Sequence, residues 1–185
     1  MNFEIKVNDK LFLKLPQIED AESVYETIDK NREHLRNWLV WVDKTVSVKN
    51  TENNIIARIK EFEDKKAALF YISYENKCIG SAGFVSLDNI NKNGEIAYWL
   101  IPEFEGKGIM TDCVRVLLKY GFTELGLRHI RITCNSENSK SIAIPKKLGF
   151  VLEGTLRQES FRNGVYNDML VFGLLKSEWD AQLVG

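Results

Sequence analysis

This chain of 185 residues has neither an excess of one charge sign nor a long apolar run. Its 25 basic and 26 acidic side chains leave a formal net charge of -1, which provides no positive field for a nucleic-acid backbone or an anionic membrane surface. No apolar run approaches the roughly 20 residues of a membrane-spanning helix, and residues 1–15 alternate charged with apolar side chains. We therefore expect a cytoplasmic protein without a direct nucleic-acid partner and without a membrane partner.

Cysteines and linkers are scarce as well. Cys78, Cys113 and Cys134 are an odd set, form no CxxC motif and lie inside apolar segments, so disulfides and zinc sites are disfavoured and no metal is expected. We interpret all three as small core residues. No repeat, low-complexity tract or Pro/Gly/Ser-rich linker interrupts the chain, and 44% of its residues are apolar, enough for one substantial core. The sequence predicts a single domain, residues 1–185.

Apolar alternation and turn residues predict the strands. Hairpins are expected at 3–15, at 68–87 and around the ArgAsnGly turn at 162–164, with further strands at 94–101 and 129–135. The strands between 68 and 101 should pair antiparallel. Helical patterns lie between these strands, so the order predicts a mixed α/β fold with a central sheet.

The helical segments are expected at 16–31, at 48–64 behind a serine that can cap the helix, and at 109–125. A shorter helix should end before Gly149, and Pro145 should kink it or shift its register.

A glycine-containing turn joins the strand at 94–101 to the helix at 109–125. Pro102 cannot extend a central strand, whereas Gly106 and Gly108 can adopt backbone angles that a Cβ would forbid. The N–H groups from Gly106 to Thr111 should converge beside the positive end of the helix dipole. This arrangement predicts a site for an anion such as a diphosphate, although an ordinary strand-to-helix turn would also use two glycines.

Two well-known phosphate loops do not match this turn. EGKGIMT has its lysine between the glycines instead of after the second glycine, which excludes the nucleoside-triphosphate loop. The third residue after Gly108 is Thr111, neither glycine nor alanine, which excludes the dinucleotide-binding motif GxGxxG.

The turn resembles the pyrophosphate loop of the GCN5-related N-acetyltransferases (GNAT), which is written Q/RxxGxG/A. Read from Glu105 to Met110, it departs from that pattern at these two positions. NREHLRNWLVWV, residues 31–42, resembles the NRxxLRxWLxW segment of the RimJ/RimL-type ribosomal-protein N-terminal acetyltransferases. NSENSKSIAIPKKLGFVLEG, residues 135–154, is similar to the second cofactor segment of that branch. The resemblance extends over 11–179, nearly the whole chain.

This resemblance implies the GNAT fold, a mixed sheet of about seven strands flanked by helices, with acetyl-CoA in a cleft between splayed central strands. The backbone of Trp99, Leu100 and Ile101 would pair with the pantetheine arm. Asn138 and Ser141 would face the thiol end, although Asn138 could instead serve only as a helix N-cap. The pyrophosphate would be held by the N–H groups of Gly106, Lys107, Gly108, Ile109, Met110 and Thr111.

The implied chemistry transfers an acetyl group from a thioester to an amine, which must be neutral to attack. An α-amine has a reference pKa of about 7.7 to 8.0 against about 10.4 for lysine, so one water-linked carboxylate could suffice as base. Glu95 is the candidate base by resemblance, with Glu159 as the alternative, although Ser160 occupies the matching position. Ser141 is the candidate acid. Glu95 could equally be a surface or hydrogen-bonded structural residue, and the alternative for Ser141 is a helix-facing serine.

A covalent relay through Cys113 or Cys134 is disfavoured, because no sequence feature directs a base toward either thiol. His129 is expected to be structural. His34 either lines the acceptor cleft or is exposed to solvent. Direct transfer to the acceptor is therefore expected.

The acceptor side is predicted from the resemblance. Arg32, Trp38 and Trp41 are assigned to substrate contact, although the two tryptophans could instead form a core patch. The leading function is N-terminal acetylation of a protein, with a ribosomal protein as one candidate. The alternatives are acetylation of a small amine such as a drug or polyamine, and noncatalytic acyl-CoA binding. The sequence leaves open whether the protein forms a homo-oligomer.

Overall fold

The protein is built around one eight-stranded sheet with helices on both faces. The computed structural model describes residues 3–162 and 164–184. Within them the strands are β1 (Glu4–Lys6), β2 (Leu11–Lys14), β3 (Ala68–Tyr74), β4 (Lys77–Asp88), β5 (Asn93–Leu100), β6 (His129–Asn135), β7 (Val151–Arg162) and β8 (Val165–Leu175). The α-helices are α1 (Ala21–Lys30), α2 (Arg32–Leu35), α3 (Val48–Glu63), α4 (Ile109–Lys119), α5 (Ser139–Lys147) and α6 (Lys176–Val184). Across these residues, no helix combines the length and apolar character needed to cross a membrane.

The sheet opens between two of its central strands. Its order is β1-β2-β3-β4-β5-β6-β8-β7, and neighbouring strands are antiparallel except β5 and β6, which are parallel. The β5–β6 register runs from Asn93–His129 to Ile96–Ile132, whereas β5 continues to Leu100. The two strands therefore separate beyond Ile96, and the expected cleft between splayed central strands is confirmed.

Apolar side chains fill both faces of the sheet. On one face, α4 contributes Val114, Leu117 and Leu118 to the larger apolar cluster, and all three are fully buried. On the other face, α1 and α3 contribute Val24 and Ile55 to a smaller cluster. Burying a leucine of this kind stabilises a fold by about 1.5–3 kcal/mol. Helix α4 is therefore held firmly on the sheet, which fixes the position of its first turn.

Most of the predicted elements are confirmed. The Ser47 side chain accepts a hydrogen bond from the Asn50 N–H at 3.3 Å, so the predicted cap precedes α3. The predicted hairpins are present, and Asn163 of the last turn lies outside the described residues. The strands between 68 and 101 pair antiparallel, as expected.

Several elements differ from expectation. Among the described residues the sheet has eight strands, where about seven were expected. Helix α4 ends at Lys119 and continues as a π-helical turn, Tyr120–Glu124. The last helix, α6, has no counterpart among the predicted elements. Pro145 lies within α5, which runs on to Lys147.

The three cysteines carry free thiols. Cys113 and Cys134 are buried, as expected of small core residues, and Cys78 is partly buried. Burial raises the pKa of the Cys78 and Cys113 thiols to about 12, so both stay protonated at neutral pH. A protonated, buried thiol is a poor nucleophile, which favours direct transfer over a relay through Cys113.

Candidate active site

The glycine turn forms an open cradle at the amino end of α4. Gly106 and Gly108 have φ values of 72° and 80°, in the left-handed region that favours glycine. A Cβ built at either residue would meet no atom within 4 Å, so the space in front of the turn is open. The first helical hydrogen bond runs from the Asp112 N–H to the Gly108 carbonyl at 3.0 Å, which leaves the preceding N–H groups directed out of the helix. This geometry suits an anion.

The backbone angles also decide how the family pattern fits the turn. A frame from Glu105 to Met110 places Gly106 at a position where any residue is allowed. A frame from Glu103 to Gly108 places both glycines of Q/RxxGxG/A on residues with positive φ. The structure therefore favours the second frame, in which only Glu103 departs from the pattern.

The open side of β5 lies beside the cradle. The Ile101 N–H donates to the Ile79 carbonyl at 2.9 Å, which directs it toward β4. Because alternate residues of a strand direct their backbone groups to opposite sides, the N–H and C=O of Leu100 point into the gap beside β6. Of the three residues assigned to the pantetheine arm, Leu100 is the one whose backbone is available there, and Trp99 and Ile101 face β4.

Two hydroxyls and a thiol meet at the end of β6. The Ser141 Oγ lies 3.2 Å from the Cys134 Sγ and 3.3 Å from the Tyr98 hydroxyl. The Asn138 side chain accepts from the Ser141 N–H at 3.0 Å, so it caps α5, as the structural alternative predicted. Tyr98 and Cys134 were not singled out from the sequence for this site. Tyr98 could have been found from strand alternation, which places it on the same face as the buried Ile96.

Glu95 approaches the gap from the other face of the sheet. Its carboxylate accepts a hydrogen bond from the Arg131 guanidinium at 3.0 Å, and its side chain is 27% exposed. Strand alternation places Glu95 on one face with Trp99, and Tyr98 on the opposite face. The candidate base and the candidate acid therefore flank the opening from opposite sides. Glu159, the alternative base, is exposed on the edge strand β7.

Trp38 and Trp41, the two tryptophans of residues 31–42, contact two other parts of the fold. Trp41 packs edge-on against Trp99, with ring centroids 6.1 Å apart. Trp38 lies under the Arg162 guanidinium, 5.1 Å from ring centroid to Cζ, and Arg162 also donates to the Asn37 carbonyl at 2.6 Å. The β7–β8 hairpin therefore contacts residues 31–42 through Arg162.

Arg32 has different partners. Its guanidinium donates to the main-chain carbonyls of Val42 and Thr45 and to the Asp29 carboxylate. These bonds hold the turn that follows α2, which is a structural task. The geometry therefore gives no support to the assignment of Arg32 to substrate contact.

A polar cavity of about 340 Å³ lies elsewhere in the sheet. It is lined by Ser86, Asp88, Asn93, Gly94, His129 and Arg131. These residues include the amino ends of β5 and β6, whereas the glycine cradle follows the carboxyl end of β5. The cavity is therefore separate from the cradle and touches the candidate site only through Arg131, the partner of Glu95.

The Glu105 carboxylate, next to the cradle, links α2 to α5. Glu105 pairs with His34 of α2 at 2.8 Å and with Lys140 of α5 at 2.6 Å. Burial raises the pKa of Glu105, but hydrogen bonds from Lys140 and His34 outweigh burial, so the pKa lies below its ordinary value of 4.5. Local patterns in the sequence do not indicate this cluster, since its members are 71 and 35 residues apart.

Replacing Glu105 with glutamine should lower the free energy of unfolding at neutral pH by about 1 kcal/mol, the upper end for exposed ion pairs, because Glu105 is only 22% exposed. The lowered pKa makes this stabilisation complete above pH 4.5 and removes it as pH falls through the folded-state pKa. Urea unfolding of both proteins between about pH 7 and about pH 2 measures the difference.

Glu75→Gln is the matched control. The Lys10–Glu75 pair has the same 2.6 Å separation as Lys140–Glu105, but its side chains are 63% and 55% exposed. We expect this variant to lose less stability than Glu105→Gln, because solvent screens an exposed pair. Equal losses in the two variants, or a loss for Glu105→Gln that persists at the lowest pH, would contradict the prediction.

Comparison with known proteins identifies the relatives of this chain. A family model described as an acetyltransferase (GNAT) domain matches residues 10–151. The chain is 34% identical to the putative ribosomal N-acetyltransferase YdaF of Bacillus subtilis, over 97% of this chain and 99% of that protein. It is 29% identical to the ribosomal-protein-serine acetyltransferase of Escherichia coli, over 93% and 96%. Similarity to the spermidine N(1)-acetyltransferase of Escherichia coli, also 29% identical, covers 66% of each chain.

Two solved structures with the same fold contain coenzyme A or acetyl-CoA. RimL, a ribosomal L7/L12 α-N-protein acetyltransferase solved with coenzyme A, matches with a TM-score of 0.91 at 26% identity, over 95% of this chain and 99% of that one. The microcin C7 self-immunity acetyltransferase MccE, solved with acetyl-CoA and AMP, matches with a TM-score of 0.87 at 30% identity, over 92% and 95%.

Proposed function

This chain belongs to the GNAT acetyltransferase family, and we propose that it transfers the acetyl group of acetyl-CoA to the N-terminal α-amine of a protein. The main support for acetyl-CoA as cosubstrate is the glycine cradle at the amino end of α4, beside the gap between β5 and β6. A ribosomal protein is the leading acceptor, since both ribosomal-protein relatives align over more than nine-tenths of the chain. Such an acceptor would place the reaction in the cytoplasm.

The residues present fit a diphosphate-bearing cosubstrate. The empty space in front of Gly106 and Gly108 is where a Cβ would stand, so a ligand can approach the backbone closely. The N–H groups from Gly106 to Thr111 would hold the pyrophosphate without a cluster of arginines. The Leu100 backbone would pair with the pantetheine arm in the gap. Bound acetyl-CoA supplies an activated thioester.

Glu95 and Ser141 would act from opposite faces of the sheet. Glu95, through a water, would take the proton that the attacking amine must lose. Its bond to Arg131 restrains the carboxylate on the side that carries Trp99 and Trp41, where the acceptor would enter. Ser141 would donate a hydrogen bond to the sulfur from the other side. Asn138, by capping α5 at the Ser141 N–H, would set the direction of the Ser141 side chain.

A small-amine acceptor is the second candidate. It is favoured by the similarity to spermidine acetyltransferases, which covers about two-thirds of the chain. The partial coverage is the reason for ranking it below a protein N-terminus. A noncatalytic acyl-CoA-binding domain is the third candidate.

Incubation with acetyl-CoA and a panel of acceptors separates these functions. Peptides with free N-termini, the same peptides with blocked N-termini, polyamines and aminoglycosides are compared by the rate of thiol release. We expect turnover with free N-terminal peptides and none with their blocked counterparts. Turnover with polyamines or aminoglycosides alone would support the second candidate. Cosubstrate binding without turnover of any amine would support the third.

A further inference from the structure

Tyr98 reaches across the gap between β5 and β6 to helix α5. Its hydroxyl donates to the main-chain carbonyl of Ser141 at 3.0 Å and lies 3.3 Å from the Ser141 Oγ. The Cys134 thiol lies 3.2 Å from the same Oγ. The Ser141 hydroxyl is therefore held between a phenol from β5 and a thiol from β6.

A proline in α5 explains why the phenol binds there. In an α-helix, the carbonyl of Ser141 would accept a hydrogen bond from the N–H of residue 145. Residue 145 is Pro145, which has no N–H. The orphaned carbonyl needs another donor, and Tyr98 provides it. Pro145 and Tyr98 thus act as a pair that fixes a phenol beside Ser141.

The Tyr98 hydroxyl donates to the Ser141 carbonyl at 3.0 Å and accepts from the Ser141 Oγ at 3.3 Å. Its single proton can serve the Ser141 carbonyl, or it can turn to the Ser141 Oγ. Burial raises the pKa of both Tyr98 and Cys134, so both groups stay neutral and keep their protons. No charged acid adjoins Ser141 among these contacts. A hydroxyl that receives a hydrogen bond becomes a stronger donor itself.

We propose that Tyr98 is a positioning residue that strengthens the Ser141 hydroxyl as a hydrogen-bond donor to the sulfur of coenzyme A. This inference rests on the proposed function, because it takes Ser141 to face the thiol end of the cosubstrate. When the sulfur carries negative charge, the Tyr98 proton turns from the carbonyl to the Ser141 Oγ, and Ser141 donates to the thiolate. The thiolate is a stronger acceptor than a neutral oxygen, which drives this reorientation.

The pKa of bound coenzyme A tests this arrangement without turnover. A hydrogen bond to the thiolate lowers the pKa of the thiol, so loss of the donor raises it. The thiolate is measured by ultraviolet absorbance as pH is raised, as the difference between protein with and without coenzyme A. We expect Ser141→Ala to raise the bound thiol pKa by about one unit, a tenfold change in its ionisation constant. Tyr98→Phe should also raise the bound thiol pKa, with an about threefold change in its ionisation constant.

A double variant separates this role from a merely structural one. Tyr98→Phe also leaves the Ser141 carbonyl unsatisfied, so its melting temperature should fall. Adding Pro145→Ala restores an N–H for that carbonyl, and the melting temperature should recover. The raised thiol pKa should persist in the double variant, because the phenol is still absent. Tyr25→Phe is the control, since its hydroxyl donates to the Val46 carbonyl at 3.2 Å, away from α5, and its loss should leave the thiol pKa unchanged.

Three results would overturn the proposal. One is a bound thiol pKa in Tyr98→Phe equal to that of the wild type, with coenzyme A still bound by calorimetry. Another is a double variant in which the thiol pKa returns to the wild-type value, since Tyr98 would then act only through the carbonyl. The third is loss of coenzyme A binding by a folded Tyr98→Phe protein. A wild-type protein that binds coenzyme A but acetylates no amine would refute the proposed function and leave this test intact.

Discussion

Replacing Gly108 with valine should weaken acetyl-CoA binding by at least about tenfold while the sheet stays folded. Gly108 has a φ of 80° and is the N-cap of α4. Valine in this left-handed conformation costs about 1–2 kcal/mol, and its side chain would enter the open space in front of the cradle. The N–H groups that would hold the pyrophosphate would be displaced or covered. Isothermal calorimetry with coenzyme A measures the loss.

Gly126→Val is the matched control for the backbone. Gly126 has a φ of 65°, and a Cβ there would also meet no atom within 4 Å. It follows the π-helical turn after α4, at the far end of that helix from the cradle. This variant should lose similar stability and keep its affinity for coenzyme A. Unchanged affinity in Gly108→Val, or an equal loss in both variants, would remove the cradle as the pyrophosphate site.

Replacing Glu95 with glutamine should lower the turnover rate at neutral pH by about a hundredfold, because glutamine keeps the shape and loses the basicity. Affinity for acetyl-CoA should barely change, since Glu95 lies on the other face of the sheet from Ser141. The loss should shrink as pH rises above about 8, where an α-amine arrives already neutral. Rates from about pH 6 to about pH 10 with a free N-terminal peptide measure this dependence.

Glu159→Gln is the comparison for Glu95→Gln. Glu159 is exposed on the edge strand, so its substitution should leave the pH-rate profile close to that of the wild type. A Glu95→Gln profile that overlays the wild type would remove Glu95 as base. Loss of rate in Glu159→Gln alone would transfer the role to Glu159.

Local features of the fold could be predicted because adjacent residues determine them. The cap at Ser47, the alternation of β3 to β5 and the two positive φ values at Gly106 and Gly108 each depend on a few neighbouring side chains. The frame of the glycine pattern was harder to place, since either register keeps a glycine at the position where the pattern requires one. Only the backbone angles favour the frame that starts at Glu103.

The partners within the site could not be predicted in the same way. Arg32 and Trp38 lie in one short segment, yet Arg32 holds the turn after α2 and Trp38 contacts Arg162 of the distant hairpin. The capping bond from the Ser141 N–H to Asn138 follows from their spacing of three residues, whereas their approach to a thiol stays a prediction. Tyr98 was overlooked, because its contact with α5 spans 43 residues.

The sequence by itself determined the family, the sheet-forming segments and the loop that can approach an anion, since each depends on local backbone preferences or on motifs read in order. Tertiary structure alone decided that β5 and β6 separate after Ile96 and that Glu95 and Ser141 lie on opposite faces. It also decided that Tyr98 donates a hydrogen bond to the Ser141 carbonyl, which Pro145 leaves without a helical donor. These outcomes depend on strand order and register, which arise from packing of the whole sheet and are not encoded in any single segment.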